Sequence, residues 1–370
     1  MTDFYSFDEF SIPLWIKALF WGLYMVVFVY AVWKLLLTAP KNKRHVNASY
    51  WILPYFIVFA VFYCVNDDYF SYRSWLRVPT LVDWHKEQVY AYIIMFCRSL
   101  PTRHAFEVFR LIVWGGALLL VFGITQMGRR FLNPGLVVLC LFVFFSGHFS
   151  YARASLAMAM FLMGVGICMW VKHPLAKILG VGVAICSYFF HHELLIGIAL
   201  LPCMLLPFEW KRAKKYSLIL FAIIIAGIIF INSNLGFLED VFGNDELADK
   251  IEHFNEQEQR VFRMSTLINY LNIFYPFTLI TLFFHKHKRR RKAVAGMYRI
   301  TFVLLMVTVA FFIVSGERSV YAYRVLYITT IPLSIMIAYC YNQGFFKKYQ
   351  LVIMLFWAFL TNSVRLINSI

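Results

Sequence analysis

Arg153 is a permanent cation inside an almost unbroken apolar stretch from Pro134 to Val171, where His148 is the only other strongly polar interruption. An arginine at the centre of a membrane helix costs about 2.5–3.5 kcal/mol on insertion scales, so such residues as a rule face an interior cavity and serve a purpose there. The chemistry this suits is anion binding. Further along stand His191, His192 and Glu193 in a row, then Glu317, Arg318 and Arg324; earlier come Asp67, Asp68, Tyr69, Tyr72 and Arg73. Guanidinium groups stay charged and offer a planar fork of donors to phosphate oxygens. An imidazole such as His191 accepts a proton near neutral pH, and Glu193 or Asp67 can orient it or act as the base instead. Tyr and Trp rings between residues 66 and 88 have flat apolar faces of the kind that stack on sugars. These parts fit transfer from a lipid-linked pyrophosphate, with arginines stabilising charge on the leaving group.

Each residue also has an ordinary reading. Arg153 can snorkel to headgroups or pair with Glu317. His191 and His192 suit an interfacial hairpin turn, and Arg318 and Arg324 suit any loop. Asp67 and Asp68 fit loop solvation or a helix N-cap. What favours chemistry is convergence on one face of a membrane.

That face follows from the whole chain. Of 370 residues 61% are hydrophobic and 15% charged, with mean hydropathy +0.68, a balance with which no soluble domain covers its surface. The expected fold is all-α and polytopic, a single domain over residues 1–370. A spanning helix needs about 20 largely apolar residues. By that test segments fall near 14–37, 50–65, 106–125, 134–150, 152–171, 175–190, 193–208, 216–232, 265–285, 300–315, 325–340 and 350–367, which makes about 12 spans within a range of 10–13. Asp3, Asp8 and Glu9 make the start acidic, so no cleavable signal peptide is expected.

Basic clusters fall at Lys41 to Arg44, Arg129/Arg130, Lys172/Lys177, Lys211 to Lys215, Lys286 to Arg299 and Lys347/Lys348. With these segments all of them share one side, which the positive-inside rule makes cytoplasmic. Glu209 is the one carboxylate of the 19 on that side. The net charge of +16 is thus topogenic, and no nucleic-acid partner is expected. Arg153, His148, His191, His192, Glu193, Arg318 and Arg324 then lie at outer helix ends, beside long outer loops at 66–105 and 233–264. The apolar run Val89 to Leu100 cannot cross without inverting everything after it, so it reads as re-entrant or lying on the outer surface. The seven cysteines have no ligand spacing, so neither a metal site nor a disulfide framework is expected. No internal repeat or pair of broken helices supports a transporter.

These residues carry a resemblance. Asp68-Tyr69-Phe70-Ser71-Tyr72 resembles the DYxxY element of EpsG-family membrane proteins. Tyr151, Arg153, Leu156 and Ala157 resemble that family's RxxLA-like helix. Phe190 and His191, followed by Leu194 and Leu195, resemble its FHxSAL element, and Arg324 followed by Pro332 fits its late arginine. The family is similar in role to Wzy-type polymerases of capsule, exopolysaccharide and O-antigen. The resemblance implies a glycosyltransferase of the bacterial inner membrane that joins undecaprenyl-diphosphate-linked repeat units at the outer face. It implies lipid-linked donor and acceptor, surrounding lipids, and a chain-length regulator and flippase of the same pathway as partners, with no cofactor. It places donor pyrophosphate near Arg153 and Arg324, with Arg73 or Arg318 assisting, and His191 near the acceptor. Glu193 stands where the family has a small polar residue, so His191, Glu193 and Asp67 all stay open as the base. The alternatives are a flippase, which needs arginines along a path through the bilayer, an O-antigen ligase or acyltransferase, and a structural assembly partner.

Overall fold

Pro134-Gly-Leu-Val-Val-Leu-Cys-Leu-Phe-Val-Phe-Phe is apolar on every side, and a helix with no polar face belongs in the middle of a bundle. In the computed structural model of the chain it does lie there, with Leu136 to Phe144 all buried. The residues described are 14–34, 52, 54, 58, 69–78, 88–102, 104–128, 130, 132–145, 152–191, 194–202, 210–233, 264–286, 293–315, 322, 325, 326 and 328–368. Among them every regular element is helical and none is a strand.

In chain order these helices are α1 (Leu14–Val32), α2 (Tyr69–Arg77), α3 (Gln88–Ser99), α4 (Ala105–Met127), α5 (Pro134–Phe145), α6 (Ala152–Trp170), α7 (Pro174–Cys186), α8 (Leu195–Ala199), α9 (Trp210–Ser233), α10 (Met264–Lys286), α11 (Ala295–Ser315), α12 (Thr330–Asn342) and α13 (Lys348–Asn368). Three of them, α1, α4 and Ala295–Val314 of α11, are long and apolar enough to cross a membrane. Shorter apolar helices lie at Pro134–Phe144, Ala154–Trp170, Pro174–Phe189, Leu218–Gly227 and Tyr270–His285. The expected twelve spans are not reached among the described residues, and residues 234–263 of the expected outer loop 233–264 lie outside them.

The helix starts obey local chemistry. Pro134 and Pro174 open α5 and α7, where a missing N–H costs nothing and the fixed φ suits the first turn. The Asn133 side-chain oxygen accepts the Leu136 N–H at 3.3 Å, an N-cap to α5. At the other end of α5 the last-turn carbonyls take donors from two other helices. The Tyr24 hydroxyl of α1 donates to the Phe142 carbonyl at 3.3 Å, and Asn362 Nδ2 of α13 donates to the Val143 carbonyl at 2.7 Å. Helix ends away from water need such partners. Around α5 pack α12, α13, α1 and α4.

The α6–α7 hairpin closes on glycine. A Cβ on Gly180 would lie 2.7 Å from both the Cys168 sulfur and the Gly164 carbonyl oxygen. Small residues let membrane helices approach backbone to backbone in this way. Helices α4 and α6 are parallel: Gly116 faces Leu156, Gly123 faces Met163, and Met127 faces Gly166. Their shared far end is tied to α11, because Trp170 Nε1 donates to the Ala293 carbonyl at 2.7 Å.

The region 66–88, expected to be a loop, contains α2. Tyr69, Tyr72 and Leu76 of Tyr-Phe-Ser-Tyr-Arg-Ser-Trp-Leu-Arg recur at helical spacing. The run expected to be re-entrant or surface-lying is α3, 12 residues long and so about 18 Å, against a hydrocarbon core of about 30 Å. It buries Tyr90, Ala91, Ile94 and Cys97 and exposes Tyr92, Met95 and Phe96, which is one packed face on a helix too short to cross.

Candidate functional site

A chain of aromatic rings joins the two sequence elements that matter most. Tyr72 of α2 lies 5.5 Å from Phe109 in the first turns of α4, centroid to centroid. Phe109 lies 6.2 Å from Tyr90 of α3, edge to face. Tyr90 meets Phe190, the residue before His191, at 6.5 Å and 88°. Such edge-to-face pairs suit the ring quadrupole. Tyr72 and Arg73 are thereby brought to the same end of the bundle as His191. Tyr72 itself is 3% exposed and its ring also meets Trp75 at 5.3 Å, so it docks α2. Trp75 is half-buried.

The turn that holds His191 is built from α7. A single 3-10 turn, Ser187–Phe189, tightens the helix end. Ser187 Oγ donates to the Ala184 carbonyl at 2.6 Å, and the Ser187 carbonyl accepts the His191 N–H at 3.2 Å. The His191 carbonyl accepts the Leu194 N–H at 3.0 Å. His191 is 8% exposed, its backbone held on both sides.

Arg110 was not singled out by the sequence. It follows Phe109, is 5% exposed, and its guanidinium carbon lies 5.5 Å from the Phe106 ring centroid, within cation–π range. The next turn of α4, Leu111–Gly115, is a π-helix, a wide turn often found at functional sites. Helix α6 packs against it. The parallel register that pairs Gly116 with Leu156 sets Val113, inside this turn, level with Arg153. Arg110 and Arg153 therefore sit at backbone positions within about one helical turn of the same level. The signal was a single arginine near the start of the apolar segment 106–125. Asn272 and Asn362, both buried, were also missed; each is an uncharged amide within a largely apolar segment.

The other expected site residues divide in two. Arg153 falls in the first turn of α6 and Tyr69 at the start of α2, by backbone alone. Asp67, Asp68, His148, His192, Glu193, Arg318 and Arg324 lie outside the described residues. Ala322, Val325 and Leu326 around Arg324 are buried. Among the described residues no three His, Cys, Asp or Glu side chains gather as metal ligands do.

Apolar helices of spanning length and a central helix with no polar face define a multi-pass membrane protein. A model of the EpsG family matches residues 48–367, so the chain belongs to the EpsG family, which is consistent with a polymerase-type enzyme. No curated protein and no solved structure matches it.

Proposed function

We propose that this protein lengthens a bacterial surface polysaccharide by glycosyl transfer between polyprenyl-diphosphate-linked repeat units at the outer face of the cytoplasmic membrane. In the reaction an acceptor hydroxyl oxygen bonds to the anomeric carbon of the donor glycan. The bond from that carbon to the pyrophosphate oxygen breaks, and its electron pair leaves with polyprenyl diphosphate. The hydroxyl proton passes to His191, with Glu193 or Asp67 orienting the imidazole or taking its place. Arg153 and Arg324, assisted by Arg73 or Arg318, hold the pyrophosphate and stabilise the charge that develops on it. Arg110 adds a guanidinium at nearly the level of Arg153.

The observation that carries this reading is the ring chain from Tyr72 to Phe190, which joins the Arg73 helix to the His191 turn across a buried arginine. The test is Arg153→Ala and Arg153→Lys in cells making the polymer. The expected outcome is loss of the chain-length ladder at unchanged protein level, with single repeat units collecting on the outer leaflet. Removal of one such donor costs about a hundredfold or more in rate, and lysine does not reproduce a bidentate fork. A normal ladder from well-inserted Arg153→Ala overturns the site. Accumulation on the inner leaflet points instead to a flippase.

A further inference from the structure

A cavity of about 340 Å³ lies away from the His191 turn, between α10, α13 and the last turn of α5. Its size is within the range of about 300–1,000 Å³ common to small-molecule sites. Phe144, Leu271, Tyr275, Ile353 and Trp357 line it with Asn272. Leu271, Tyr275, Ile353 and Trp357 are exposed, so the mouth opens on the bundle's flank, where membrane hydrocarbon lies.

Asn272 is the odd group in this lining. It is 6% exposed, and its Nδ2 donates to Thr361 Oγ1. Thr361 Oγ1 has one proton, which lies within reach of the Trp357 and Ala358 carbonyls at 3.1 and 3.0 Å. With that proton on either carbonyl it accepts toward Asn272, and the amide nitrogen is the atom facing Thr361. Asn272 Oδ1 is left buried without a donor among the described residues. Acceptors so placed cost about 1–3 kcal/mol each when unmet.

Depth narrows what can meet them. Asn272 is about 12 Å along α10 from Met264 and about 21 Å from Lys286, inside a hydrocarbon core of about 30 Å. A charged headgroup at that depth is costly. An uncharged hydroxyl costs far less once it is hydrogen-bonded, and it supplies the missing donor.

We propose that this cavity binds an uncharged lipid alcohol, its hydroxyl donating to Asn272 Oδ1 and its chain lying along Trp357, Ile353, Leu271 and Tyr275. The site is separate from the polymerase reading and stands without it.

The experiment uses the full-length protein in nanodiscs with three photoactivatable C16 probes: an alcohol, the matching alkane and the matching carboxylic acid. The alcohol is expected to label peptides containing Leu271–Pro276 and Ile353–Trp357 about fivefold more than the alkane or the acid, the factor a single hydrogen bond gives. Asn272→Leu is expected to remove that excess and leave alkane labelling unchanged. If Asn272→Leu does not fold, the comparison of alcohol with alkane on the unaltered protein decides alone. Competition by geranylgeraniol alone supports an isoprenoid source for the alcohol, and competition by dioleoylglycerol alone supports a glycerolipid source. Equal labelling by alcohol and alkane, or no competition by either lipid, overturns the proposal.

Discussion

Tyr90 and Phe190 meet edge to face, 6.5 Å between centroids, although they belong to a short helix and to a turn a hundred residues later. Tyr90 is 1% exposed, so the contact packs the residue that precedes His191 against a buried ring of α3. The backbone of His191 is held by Ser187 and Leu194. The ring pair adds a lateral constraint on the residue before it.

Phe190→Ala is therefore expected to lower polymer output while leaving the protein inserted. The pair itself is worth about 0.5–1.5 kcal/mol, and the emptied volume adds a cavity cost on top. Phe190→Tyr and Phe190→Trp keep a ring and are expected to retain most activity. The check is the chain-length ladder, normalised to protein in isolated membranes. Full activity in Phe190→Ala removes the positioning role.

Arg110 makes a second prediction. Arg110→Met preserves apolar bulk against Phe106 and removes the charge; Arg110→Lys preserves charge and removes the fork. If the guanidinium helps to hold pyrophosphate, both lose at least tenfold in polymerisation rate. A role confined to packing predicts that Arg110→Met is close to the unaltered protein. Turnover of a defined lipid-linked repeat in reconstituted vesicles separates the two.

The α6–α7 contact predicts a sharp steric limit. Gly180→Ala places a methyl 2.7 Å from two atoms, where overpacking costs about 1–3 kcal/mol. Gly182 has nothing within 4 Å of its Cβ position and tolerates alanine. Thermal unfolding of the two purified variants in detergent is expected to show a loss of melting temperature for Gly180→Ala and none for Gly182→Ala.

Cys97 offers a pH test of how α3 sits. Burial pushes its thiol up to about 11, and the thiolate is the reactive form. The reactive fraction at pH 8 is then on the order of a thousandth and grows about tenfold per pH unit up to the pKa. In a variant keeping Cys97 as its sole cysteine, maleimide labelling is expected to be slow at pH 7 and to steepen above pH 9 while the fold persists. Fast labelling at pH 7 shows that α3 does not bury this face.

Long apolar runs were the legible part of the chain. The expected segments 265–285 and 152–171 lie within two residues of α10 and α6, because hydropathy changes abruptly at their ends. Helix α2 was not legible, since nine residues carrying an arginine at each of two positions read as polar loop until Phe109 and Trp75 cover Tyr72. Arg110 was hidden for a related reason. An arginine near a helix start ordinarily snorkels, and only the tertiary packing of α2, α3 and α6 about α4 encloses this one. His191 stood out in the sequence because a histidine beside a carboxylate at a hairpin is uncommon in apolar sequence. Asn272 and Asn362 carry no charge to mark them, and their value depends on which carbonyl or hydroxyl lies opposite.

The parallel seam between α4 and α6 has a consequence for how the arginines are spaced. Gly128 and Trp170 close that seam at its far end; a Cβ on Gly128 would meet the indole at 2.9 Å. Trp170 stands about 25 Å along α6 from Arg153. A helix is stiff along its axis, so sliding Trp170 by one residue past Gly128 carries Arg153 the same distance, about 1.5 Å, past the π-turn below Arg110. The offset between the backbone positions of the two arginines is thus gauged on the opposite side of the bilayer, by a glycine far along the helix from both.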